Sequence, residues 1–237
     1  MRIWDVNPGY LNRQSLLGEH RELHGLVNVV TKNKKGYSRH PETLRWVGLG
    51  WALKQRHALL AEEMALRGYQ DKSPVLTRSG KGKWPTVFIY DPLTQFQILA
   101  EKYKDKDPGR IPLPQHVQQL WSHHKYSVMA RDPKLYKTIG QRVAHSKTKA
   151  DFAQLALELT QILRIPPSPG GVMNALQHMW GYVSDLDGNK SANFYQQTPA
   201  ILLRETQKRA ISNDQTYLLN STALSELALY IGHKPRT

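Results

Sequence analysis

Residues 12–31, NRQSLLGEHRELHGLVNVVT, read as one amphipathic helix. Leu16, Leu23, Leu26, Val27 and Val30 recur at steps of three and four along one side, which should face a core. Gln14, Gly18, Arg21, Gly25, Asn28 and Lys32 follow one another at the same spacing on a different side that is small, polar and basic. A glycine inside a helix costs roughly 1 kcal/mol relative to alanine, so the pair predicts close approach of something to the backbone. Glu22 lies beside that face.

The flanking sequence extends this helical pattern. Residues 1–11 are short, aromatic and turn-rich, with Asn7-Pro8-Gly9 as a turn and Trp4 and Tyr10 as anchors. After the first helix KNKKGYSRHPE forms a basic loop carrying Lys32, Lys35 and Arg39, and Pro41 suits the first position of a helix. A second helix is expected over 43–67, with Trp46, Leu49, Leu53, Leu60 and Met64 on its buried side and Gly68 as its stop. Residues 70–91 are loop-rich and basic, and Lys81, Lys83 and Trp84 set cations beside an aromatic ring, an arrangement suited equally to a phosphate backbone or a displaced base and to an ordinary solvated loop. A helix over 93–103 is followed by KDKDPGRIPLP, a linker by its charges, glycine and prolines. Beyond it the pattern LALELTQIL predicts a helix over 149–163, and another is expected over 172–183. Only PTVFIY at 85–90 is strand-like. The expected fold is therefore all-α, with two helical domains at 1–112 and 113–237.

Composition narrows the function. The chain carries 33 Lys and Arg against 19 Asp and Glu, a net charge of +14. The excess is spread over both halves, 19 against 11 up to residue 114 and 14 against 8 beyond it, so neither half is a simple basic tail. Such a chain suits a polyanion, because each neutralised phosphate releases counterions. There is no cysteine, which excludes disulfides, thiolate chemistry and cysteine-ligated metal centres. No apolar run long enough for a membrane span and no signal-peptide pattern occurs, so a cytoplasmic, nucleoid-associated protein is expected, with no membrane partner.

The run of Gln14, Glu19, Arg21, Glu22 and Leu23, preceded by Arg2-Ile3, resembles the phage endonuclease V type of pyrimidine-dimer DNA glycosylase. The segment WALKQRHALLAEEMALRGY is similar to the second long helix of that family. The resemblance implies a compact three-helix unit whose nucleophile is the α-amine of the first residue and whose catalytic carboxylate lies on the first long helix. Aligning Arg21-Glu22-Leu23 without a gap puts Met1 in the nucleophile's position and Glu22 in the carboxylate's. Arg2 is too large for the usual removal of an initiator methionine, so Met1 is expected to be retained. Arg21 would bind phosphate beside the lesion, and Arg2 and Gln14 would help hold distorted double-stranded DNA. Three residues after Glu22 the family has an active-site arginine, where this chain has Gly25. Arg39, His40 and Arg45 are the candidates for the missing cation.

The second half, through LWSHHKYSVMARDPKLYKTIGQRVA, NALQHMWGYVSD, QTPAILLRE and DQTYLLN, resembles the YbgA-type helical domain of unknown function, which is also attached to some thiouracil desulfidases. It would extend a DNA footprint or recruit a protein partner. His123, His124 and His178 invite a metal, yet adjacent helical residues point about 100° apart, so core or surface histidines are expected. No cofactor and no metal are expected. GxGxxG, a P-loop, HExxH and a hydrolase triad are all absent. The expected function is a glycosylase with AP lyase activity on pyrimidine dimers or related damaged bases; the alternative is a non-lyase protein that binds modified RNA or another modified base.

Overall fold

A computed structural model describes residues 1–32, 35–186 and 196–231. Residues 33 and 34 of the expected basic loop lie outside it. The described residues contain helices and no strand, in keeping with the all-α expectation, and PTVFIY is irregular chain. The chain divides into two compact units, Met1–Gly109 and Arg110–Thr237.

In the first unit α1 (Arg13–Lys32) begins at Asn12, whose side chain accepts the Ser15 amide at 2.9 Å. Leu16, Leu23 and Leu26 are completely buried, whereas Val27 and Val30 are half-buried. The helix packs against α3 (Gly50–Leu66). The long second helix expected from the periodicity is divided. Pro41 opens a one-turn α2 (Pro41–Leu44), and α3 starts afresh after Gly48, whose φ of +78° no helix accommodates. The loop of residues 70–91 caps the new start, with the Gly50 amide on Ser79 Oγ at 3.0 Å and the Trp51 amide on the Ser79 carbonyl at 2.8 Å. Trp46, Leu53, Leu60 and Met64 are buried as the pattern requires, and Gly68 ends α3 with φ +80°. Helix α4 (Pro92–Lys102) is capped by Asp91, whose carboxyl is held below its ordinary range chiefly by the Thr94 amide.

The second unit gathers α6 (Pro133–His145), α7 (Lys149–Leu163) and α8 (Pro169–Trp180) around α5 (Val117–Arg131). Leu120, Val128 and Ala130 of α5 are almost wholly buried. Helix α9 (Pro199–Ser212) packs on α8, and the short α10 (Thr216–Leu219) and α11 (Ala223–Glu226) follow. Most of these helices start at a side-chain cap, including a capping box of Thr148 with Asp151 at α7. A buried network links Ser127 Oγ to Glu226 Oε2 at 2.7 Å and Glu226 Oε1 to Arg131 Nη2 at 2.5 Å. His123 and His124 are buried in α5, and His124 Nδ1 meets the Leu120 carbonyl at 2.8 Å, so both serve packing.

Candidate active site

The site begins with eleven residues that have almost no regular structure. Ile3, Trp4, Val6, Tyr10 and Leu11 are buried, so their backbone carbonyls need partners away from water. Three arginines supply them. Arg45 Nη2 donates to the Ile3 carbonyl at 2.8 Å, Arg56 Nη1 to Val6 at 2.9 Å and Arg67 Nη1 to Leu11 at 2.7 Å. Each guanidinium is neutralised by carboxylates: Arg45 by Asp5 and Glu42, Arg56 by Glu19, and Arg67 by Glu63. The Arg56 pair is bidentate, 2.7 and 2.8 Å to the two Glu19 oxygens, and Glu19 also accepts the Trp4 amide at 3.2 Å. Burial pushes the Glu19 carboxyl up against the opposing pull of Arg56. The N-terminal strap is thus clamped to α1, to the end of α2 and to α3 by charge-assisted bonds, and it delivers Met1 to a fixed place.

That place is a cleft of about 280 Å³. Met1, Arg2, Gln14, Gly18, Glu22 and Lys102 are among its lining residues. Glu22 Oε2 accepts the Arg2 amide at 2.5 Å, which fixes the carboxylate one peptide away from the terminal amine. The Arg2 guanidinium lies over the rings of Trp4 and Tyr90, at 4.8 and 5.0 Å from their centroids.

Of the residues singled out in the sequence, Met1, Arg2, Gln14 and Glu22 therefore meet in one cleft. Arg21 is exposed on α1 and does not line it. Lys32, Lys35 and Arg39 are exposed around the turn that follows α1. Lys81 and Lys83 are exposed in the loop that caps α3, and Lys83 lines a second cleft of about 560 Å³ with Trp84, Arg45 and Val87. The Trp84 ring is set against Trp51 and Trp46 at 5.9 and 6.5 Å.

Among the described residues nothing approaches Gly18 or Gly25, since a Cβ built on either meets nothing within 4 Å, which leaves both open to a ligand; at Gly18 the open space is the cleft itself. The candidate cations to replace the arginine at position 25 do not reach the cleft: Arg45 is held by Asp5 and Glu42 with 4% of its side chain exposed, and His40 caps α2 through Nδ1. Besides Arg2, the fold brings Lys102 there, from the last turn of α4, and nothing in its local sequence marked it. Sequence reasoning also missed the convergence of His20, His24, His57 and Asp71 on α1, α3 and the segment after it. Its one local signal was the four-residue spacing of His20 and His24. Burial pulls the His57 imidazole down to about 4 and lowers His24 as well.

The family model for pyrimidine dimer DNA glycosylase matches residues 1–77, which hold the strap, α1 and the whole of α3. A second, for a protein of unknown function (DUF1722), matches residues 125–198. No curated protein and no solved structure matches the chain. No described helix is long and apolar enough to cross a membrane. The chain thus joins a segment that matches the pyrimidine dimer DNA glycosylase family, and that carries Met1 and Glu22 in one cleft, to a segment that matches a family of unknown function.

Proposed function

We propose that the protein is a DNA repair glycosylase with AP lyase activity on pyrimidine dimers or related damaged bases, using the Met1 α-amine as nucleophile and Glu22 as its acid–base partner. The observation that carries this reading is the Glu22 carboxylate bonded to the Arg2 amide in the cleft that Met1 lines. An α-amino group titrates at about 7.7–8.0, against about 10.4 for lysine, so an amine of this class is partly neutral at physiological pH.

In the first step the amine lone pair forms a bond to C1′ of the damaged nucleotide as the glycosidic bond breaks, its electron pair leaving with the base. Loss of the amine protons and opening of the C1′–O4′ bond, with the pair going to O4′, then give an imine. Removal of a C2′ proton expels the 3′ phosphate and breaks the strand. Glu22 is suited to moving protons at the sugar and to stabilising positive charge at C1′. Arg2, Gln14 and Lys102 would face the sugar–phosphate backbone at the cleft, and Arg21, Lys32, Lys35, Arg39, Lys81 and Lys83 would hold the flanking duplex. A damaged pair resists unstacking less than an intact one, so lesions would be selected by deformability. Residues 113–237 would extend the footprint or recruit a partner.

The test uses untagged protein with a native Met1, duplex DNA carrying a cyclobutane thymine dimer or an abasic site, and borohydride. A covalent adduct on the Met1 amine, lost when the terminus is acetylated, is expected on both substrates. An adduct on abasic DNA alone would restrict the activity to the lyase step. Binding without any adduct would overturn the reading in favour of a non-lyase protein acting on modified RNA or another modified base.

A further inference from the structure

His20 and His24 lie one turn apart on α1, so they share a face, and their rings sit 4.7 Å apart. His57 of α3 completes a triangle with them, its ring 5.0 Å from that of His20 and 4.9 Å from that of His24. Asp71, a few residues beyond the end of α3, closes the group. His20 Nε2 is 3.2 Å from Asp71 Oδ1, His57 Nε2 is 3.5 Å from Asp71 Oδ2, and the Nε2 atoms of His57 and His24 are 3.2 Å apart. One donor atom from each of the four residues falls within 4.8 Å of all the others.

We infer that these four side chains form a binding site for one divalent transition-metal ion, with zinc the best match to the donors. Bonds of about 2.0 Å in a tetrahedron put neighbouring ligand atoms about 3.3 Å apart, and the three contacts between prospective ligands bracket that length. Imidazole nitrogen favours zinc and its neighbours over magnesium or calcium, which take oxygen. The carboxylate is already oriented: the Ser73 amide and hydroxyl each donate to Asp71 Oδ1 at 3.0 Å. Such outer contacts fix a ligand before the metal arrives. The side chains of His20, His57 and Asp71 are 15%, 6% and 15% exposed, so the site is enclosed yet reachable by an ion.

Four protein ligands leave no open position, which makes this a structural centre. It would tie α1, α3 and the segment after α3 together. Residues two apart on a helix point about 200° from one another, so Glu22 faces away from both His20 and His24. The ion would hold α1 from the side opposite the cleft and would touch no substrate. This inference is independent of the proposed glycosylase chemistry, and none of its readouts uses DNA.

The experiment takes untagged full-length protein, purified without metal resin. Elemental analysis should find about one zinc per chain, and protein stripped with a chelator should rebind one equivalent with a rise in thermal midpoint. Cobalt(II) in its place should show the intense visible bands of four-coordinate geometry. The His20→Gln/His24→Gln double variant should keep its helical circular dichroism and lose the zinc. Should that variant fail to fold, Asp71→Asn, outside the helices and partly exposed, serves instead with zinc affinity expected to fall at least about tenfold. The inference is overturned if the wild-type chain neither retains nor rebinds stoichiometric zinc, if cobalt gives only the weak bands of six-coordination, or if the variants hold zinc as tightly as the wild type. In each of those cases the cluster is hydrogen-bonded packing around Asp71 and not a four-coordinate metal centre.

Discussion

Glu22 Oε2 and the amide of Arg2 are joined at 2.5 Å, so a carboxylate on the first long helix holds the peptide that carries Met1. Under the proposed chemistry Glu22 would have two separable roles, anchoring, which the bond to Arg2 shows, and proton transfer. Glu22→Gln retains a carbonyl oxygen to accept the Arg2 amide and loses only the acid–base group. Strand cleavage at an abasic site should fall by about 10²–10⁴-fold, while the thermal midpoint stays near that of the wild type. Glu22→Ala should lower both. A fully active Glu22→Gln enzyme would remove this residue from the chemistry.

Gly18 lines the same cleft and, among the described residues, has no neighbour where a Cβ would stand. In mid-helix, Gly18→Ala should therefore stabilise the fold by roughly 0.5–1 kcal/mol, measured by urea denaturation. Gly18→Leu should also fold, but its side chain would occupy the space beside Met1 and suppress borohydride trapping. Unimpaired trapping in a folded Gly18→Leu protein would mean that the substrate does not enter there.

The Glu19–Arg56 pair is buried and bidentate, and its partners hold the Trp4 amide and the Val6 carbonyl. Removing one member leaves an uncompensated charge in the core. Glu19→Ala should cost about 3–5 kcal/mol in a denaturation experiment. The Lys104–Glu101 pair is a control, with side chains 67% and 72% exposed. Lys104→Ala should cost no more than about 1 kcal/mol, because water and salt screen it. Similar losses at the two sites would contradict the clamp described for the N-terminal strap.

Lys81, Lys83 and Lys102 reach solvent from two elements, and Lys102 alone of them lines the cleft with Met1. If they meet phosphates, each alanine variant should weaken duplex binding whatever the sequence, and should reduce the slope of log affinity against log salt by about one. Lys102→Ala should additionally slow trapping, whereas Lys81→Ala and Lys83→Ala should leave it unchanged at saturating DNA. A lysine whose loss leaves the salt slope unaltered does not contact the backbone.

Much of the first unit was legible because local and tertiary signals agree there. The apolar spacing from Leu16 to Leu26 fixed the buried side of α1 within a residue of its true ends, and Pro41 and Gly68 acted as the start and stop their chemistry predicts. The break at Gly48 escaped notice because the periodicity of Trp46 and Leu53 runs through it; the Ser79 contacts that stabilise the new helix start are distant in sequence. PTVFIY has strand composition but no partner strand among the described residues, and composition alone makes no ladder. Arg45 was a candidate for the missing cation, and nothing in the local sequence set Arg56 and Arg67 apart; only the folded chain brings the carbonyls of residues 3–11 to these three. Lys102 and the group of His57 and Asp71 were hidden for the same reason.

The second unit carries its own pH dependence. Burial pulls His123 down to about 3 and His124 down to about 4, so both stay neutral in the folded state under mildly acidic conditions. In the unfolded chain each takes up a proton near pH 6.5. Between about pH 6.5 and 4 the unfolded state therefore binds more protons than the folded one, and stability must fall as pH falls. The contribution is complete above pH 6.5 and is lost progressively across the window. His124→Gln removes one such group and puts a neutral side chain in its place. Urea denaturation at pH 7, 6 and 5 should show a shallower decline in the variant than in the wild type, even though the variant is less stable at pH 7 for want of the Nδ1 contact with Leu120. Equal slopes for the two proteins would mean that His124 titrates in the folded state much as it does in the unfolded chain.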